Sequence, residues 1–206
     1  MAHRLDIDSI HQNVVLLLNL CYAAETFGRT HDLSAMEESD PVNGPYYVGW
    51  LKFTLSEKLI DVAIKTRILL DIVRAEEKIY KEDGVAYAID SVALDDEITQ
   101  QYNIGFFVNS EEKVSIREAC NKIVHALEIR PLLEKGEGEH VLDEESDVKR
   151  EWKFWDGSLD LTGSRGKEEW VFTLHISEFC QALDQFVGHI EVNLDWSSIH
   201  YDLDVF

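Results

Sequence analysis

The stretch SIREACNKIVHA, Ser115 to Ala126, sets Arg117, Asn121 and His125 at four-residue intervals inside an evident helix. At about 100° per residue these side chains fall within one strip roughly 80° wide, while Ile116, Ala119, Cys120, Ile123, Ala126 and Leu127 fill the opposite arc. One face packs and the other presents polar groups. Those polar types suit cleavage of RNA without a metal. A base must take the 2′-hydroxyl proton, an acid must protonate the leaving oxygen, and a cation must steady the phosphorane. A histidine near neutrality can serve in either proton-transfer role.

On about a dozen residues, with Asn121, Lys122, Ile123 and His125 at their centre, this segment resembles the signature helix of the HEPN family, small helical-bundle proteins common in prokaryotic defence and toxin systems. The commonest family form reads Arg-Asn-x-x-x-His. This chain departs from it at the residue before the Asn, which is Cys120, and the nearest upstream arginine, Arg117, has seven residues between it and His125. The resemblance implies a helical bundle, a homodimer that shares its site across two signature helices, His125 as acid or base, and Asn121 as phosphate holder or His125 orienter. It leaves the arginine role open to Arg117, with Lys122 a weaker substitute.

The competing reading is structural. Asn121 and His125 hydrogen-bond neighbouring loops or the opposite protomer, while Arg117 pairs with an acid such as Glu118 or one on another helix. The missing arginine and the acidic charge favour this reading over catalysis. No phosphate loop, nucleophile elbow, zinc helix or dinucleotide fingerprint occurs in the chain, and Gly163 and Gly166 before Lys167 read as a hairpin turn. His175, His189 and His200 as metal ligands are a minority reading, as is a hard-cation site at Asp143, Glu144, Glu145 and Asp147. No cofactor and no metal are expected.

The 206 residues carry 40 acidic against 19 basic side chains, a formal net charge of −21. Such a field repels nucleic-acid backbones unless the few cations converge on one patch; it reads first as a solvated acidic surface, with a nucleic-acid mimic that decoys a basic partner as the minority reading. Cys21, Cys120 and Cys180 stand far apart within apolar helical patterns and read as buried thiols in a reducing cytosol. The start MAHRLDIDSI lacks a signal-peptide core, and Val14 to Leu20 is too short to span a bilayer, so a cytoplasmic location and no membrane association are expected.

The elements that position the strip follow from period and caps. Asp8 or Ser9 caps a first helix that stops at Gly28 and sits centrally in the core. Residues 29–49, with Pro41, Gly44, Pro45, Tyr46 and Tyr47, read as an ordered loop, and Thr54 with Glu57 as a capping box that opens a long helix to about Gly84. A short helix is expected around Asp95 to Tyr102, then an edge strand or buried loop at IGFFV. The signature helix starts at Ser110, Glu111 and Glu112 and ends before Pro131. Residues 134–147 read as a solvated acidic loop. Beyond it EWKFWDG, SLDLTG and EEWVFTLHI alternate as three short strands with turns at Asp156-Gly157 and Gly163–Gly166, and Ser177 caps a helix that covers the sheet.

The expected fold is therefore α+β and predominantly α: a HEPN-like bundle over 1–133, an acidic loop over 134–149, and a small antiparallel meander with a covering helix over 150–206, packed as one domain. The preferred function is that of a degenerate family member acting by protein interaction in a defence or stress circuit of the toxin–antitoxin kind. The alternative is a metal-independent endoribonuclease using His125. Trp152, Trp155, Trp170 and Trp196 belong either to a partner surface or to the core.

Overall fold

A computed structural model of the chain describes residues 6–31, 44–108, 110, 112–138 and 150–194. In chain order these contain α1 (Ile7–His31), α2 (Gly44–Glu82), α3 (Ser91–Gln101), β1 (Gly105–Phe107), α4 (Ile116–His125), β2 (Glu128–Gly138), β3 (Arg150–Arg165), β4 (Glu168–His175) and α5 (Ile176–Asn193). The fold is mixed α+β, with more residues in helices than in strands.

Only one side of α1 is buried, where a helix central in the core was expected. Ile7, Ile10, Val14 and Leu17 are buried at alternating three- and four-residue steps, with Ala24 two turns further along the same side, whereas Val15 and Tyr22 face solvent. The helix begins at Ile7, ahead of both Asp8 and Ser9, and Asp6 accepts the Ser9 N–H at 3.2 Å. Gly28 does not stop it. A Cβ there would sit 2.6 Å from the Lys153 carbonyl oxygen, so the glycine instead lets α1 lie against β3.

The helix α2 starts at Gly44, within the segment expected to be a loop, and Thr54 and Glu57 are interior to it. A capping-box pattern cannot act where the preceding turn is already helical. The end falls where expected: Gly84 at φ +68° and the bonds Val85 N–H to Tyr80 O and Gly84 N–H to Lys81 O close the last turn.

The four strands are ordered β1-β4-β3-β2 and all pairs are antiparallel. IGFFV supplies the edge strand β1, as its apolar run suggested. EWKFWDG and SLDLTG, however, form the single strand β3. Trp155 pairs with Leu133 and Leu159 with Pro131, so the residues between them bulge out. Asp156 accepts the Ser158 N–H at 2.7 Å and Gly157 takes φ +86°, so the turn chemistry there makes a bulge. The hairpin turn is Gly166-Lys167 alone, and Gly163 lies in β3. Residues 134–138, expected in the acidic loop, continue β2, while 139–149 lie outside the described residues.

On one face of the sheet Leu159, Leu161, Phe172 and Leu174 are fully buried, in one continuous core with all five helices. On the other, Arg130, Asp160 and Thr173 stand in register across β2, β3 and β4, and Asp160 takes hydrogen bonds from Arg130 at 2.5 Å and Thr173 at 2.8 Å. The helix α5 starts at Ile176 rather than behind a Ser177 cap, and buries Phe179, Leu183, Phe186, Val187 and Ile190 as its period required.

Candidate functional site

The strip of polar side chains is set by how α4 begins. Ser115 is its N-cap and accepts the Glu118 N–H at 3.2 Å. Asp95, reaching over from α3, accepts the Ile116 N–H at 2.9 Å and the Arg117 N–H at 3.4 Å. The first three backbone donors of the helix are therefore all satisfied, two of them by a carboxylate from another element placed at the positive end of the dipole. Asp95 is 5% exposed, and burial pushes its carboxyl up against the opposing pull of those bonds. The helix thus starts at Ile116, not at Ser110–Glu112, where the Ser110 hydroxyl instead accepts the Glu112 N–H in a local turn. It ends at His125, and β2 follows three residues later.

Ile116, Ala119, Cys120 and Ile123 are buried, so Arg117, Asn121 and His125 face outward as their spacing requires. They do not converge. Arg117 Nη1 lies 3.4 Å from Asp71 Oδ1 on α2, and Asn121 donates to Glu118 Oε2 at 3.4 Å. Arg117 and His125 are separated by two helical turns, about 12 Å along the axis, whereas acid, base and cation must each come within about 3 Å of the same phosphate. His125 is exposed, and among the described residues neither Arg117 nor Asn121 bonds to it.

Cys120, at the position of the family arginine, is fully buried, and burial drives its thiol well above its ordinary range. An arginine there would point into the core. Lys122 is engaged elsewhere: its ammonium lies 3.3 Å from Glu118 Oε1, 4.7 Å from the centre of the Trp170 ring and 5.1 Å from that of Phe107. It seals the edge of α4 onto β4 and β1 and is not available as a second strip cation. Cys120 and Cys180 are buried and Cys21 half-buried, all three as free thiols.

The other candidates disperse. His175 shares a 3.0 Å hydrogen bond with the Asn103 carbonyl, His189 is exposed, and His200 lies outside the described residues, as do Asp143, Glu144, Glu145 and Asp147. Among the described residues no group of three or more His, Cys, Asp or Glu is placed to hold a metal. Trp152 and Trp155 are core residues, Trp170 is half-buried under Lys122, and Trp196 is outside the described residues. Among the described residues no helix is long and apolar enough to cross a membrane.

Two features escaped the sequence reading, one at this site and one on α2. Asp95 carries no local signal, because its partners lie 21 and 22 residues ahead. Ile60, Ile64 and Ile68 on the outer side of α2 did carry one, being β-branched and four residues apart. Comparison with known protein families, curated proteins and solved structures finds no match to this chain.

Proposed function

We propose that this chain is a degenerate HEPN-like protein that acts by protein interaction, as a homodimer with a further basic partner, in a prokaryotic defence or stress circuit. The observation that carries the reading is the commitment of the strip's own groups: Arg117 to Asp71 and Asn121 to Glu118. With Arg117 and Lys122 each held by a carboxylate, no cation of α4 is left beside His125 to hold a phosphate, and the charge of −21 opposes its approach. The same charge draws a basic protein surface. Three free thiols, two of them buried, suit a reducing cytosol.

A metal-independent endoribonuclease is the second reading, favoured by the exposure of His125. The test is cleavage of a mixed RNA pool by purified protein in EDTA, beside a His125→Ala variant of equal thermal stability. We expect no cleavage by either protein. Cleavage that disappears in the variant would establish the nuclease and sink the interaction reading.

A further inference from the structure

One groove of this acidic molecule is lined by more cations than acids. It lies between the last turns of α2 and the start of α3, is bounded by Arg74, Glu77, Lys78, Lys81, Glu82 and Val92, and has a volume of about 660 Å³. Arg74, Lys78 and Lys81 follow one another at four- and three-residue steps. Their side chains therefore leave α2 within an arc of roughly 60° and a rise of about 10 Å. Three of the chain's 19 cations thus converge on one short flank of a molecule that carries 40 acids.

The acids of the groove are already matched. Glu77, 8% exposed, accepts from Lys81 at 2.5 Å and from Ser91 at 3.4 Å, and Glu82 faces Lys78 at 3.8 Å. Asp90, whose charge also reaches Lys81, is held as the N-cap of α3 by the Val92 and Ala93 N–H groups. Arg74 differs: its Nε is buried and has no hydrogen-bond partner among the described residues. A guanidinium keeps its charge at every ordinary pH, so a buried N–H of this group without an acceptor is a cost that an anion would remove. A second buried atom without a partner among the described residues, Tyr87 Oη, belongs to the same end of α2. Its ring packs on Tyr80 at 4.9 Å, and burial, with the charges of Glu76 and Glu77 behind it, pushes the phenol up to about 12.

We infer that this groove binds the phosphate group of a small phosphorylated organic molecule, with Arg74 as its fork and Lys78 and Lys81 as flanking charges. The planar guanidinium takes two phosphate oxygens at once and leaves a third for an ammonium, whereas a carboxylate has no third oxygen to offer. The groove is larger than a phosphate alone, and Val92, 52% exposed, gives its wall an apolar patch for the rest of the molecule. The charge of −21 repels a polyanion along its whole length. A single phosphate in the groove responds mainly to charges within about 10 Å at 0.1 M salt, and the nearest are these three cations. The site shares no residue with the α4 strip, so it stands or falls separately from the interaction reading.

The experiment is calorimetric titration of the full chain with inorganic phosphate, glycerol 3-phosphate and acetate in about 0.1 M sodium chloride, repeated on Arg74→Gln and Lys167→Gln. Lys167 is an exposed cation in the β3–β4 turn, so its variant loses the same charge away from the groove. The expected result is a Kd of about 1 mM or tighter for both phosphates, with acetate at least about tenfold weaker. Arg74→Gln, with unchanged circular dichroism, should weaken both phosphates at least about tenfold, and Lys167→Gln by less than about twofold. Lys78→Gln is the second variant should Arg74→Gln fold poorly, with an expected loss of at least about threefold. No binding of either phosphate up to about 20 mM overturns the inference, as does acetate binding as tightly as phosphate. Equal weakening by Arg74→Gln and Lys167→Gln overturns it too, because the anion would then respond to net charge and not to the groove.

Discussion

Asp95 does two opposed things at one carboxylate. It satisfies two backbone donors at the start of α4, and it bears the cost of holding charge where it is 5% exposed. Removing it with Asp95→Ala leaves those donors buried and unpaired, with an expected loss of about 1–3 kcal/mol in urea unfolding. Its pH effect has the opposite sign to that of a salt-bridged acid. Because burial raises the native carboxyl above its unfolded value, the native state holds the proton more readily. The penalty is therefore full above the raised value and relieved as pH falls through it towards the ordinary carboxylate value of 3.8. Asp95→Asn should flatten the gain in melting temperature that acidification gives the unmodified protein across that window. Arg117→Ala, by contrast, removes one half-exposed ion pair and should change stability by no more than about 1 kcal/mol.

At the scale of elements, the ends of α4 show what could be read and what could not. Its buried face was legible from Ile116, Ala119, Cys120 and Ile123 alone, because a helix fixes which residues share a side. Its start was not, since Ser110 and Ser115 are both plausible caps and only the arrival of Asp95 from α3 selects the second. That Arg117 pairs with an acid of another helix was legible; which acid was not, with Asp71 lying 46 residues earlier. The strand β2 was missed because Pro131, Gly136 and Gly138 weaken any strand pattern, yet an edge strand with one free side tolerates all three. In β3 the Asp156-Gly157 pair carried a true local signal for positive φ, spent on a bulge. A further test sits where β3 meets the site: a Cβ at Gly163 would collide with the Trp170 ring and come within 2.9 Å of the His125 carbonyl oxygen. Gly163→Ala should therefore cost about 1–3 kcal/mol in thermal or urea unfolding, and displace the ring that Lys122 covers.

For the whole molecule the dominant quantity is charge. With 40 acids against 19 bases, self-repulsion opposes the compact state and is screened within about 10 Å at 0.1 M salt. Melting temperature should rise from low salt to moderate sodium chloride, and a protein whose stability falls over that range would contradict this account.

The packing of α1 also bears on how the chain comes off the ribosome. Gly28 meets Lys153 and Phe154, Cys21 faces Gly157, and His11 reaches Asp184 and Glu191 on α5, so α1 is completed by elements made much later than itself. At translation speeds of about 5–20 residues per second, its seam waits on the order of 10 s for β3 to emerge. A nascent chain with an uncovered isoleucine, valine and leucine seam is a substrate for holding chaperones throughout that interval.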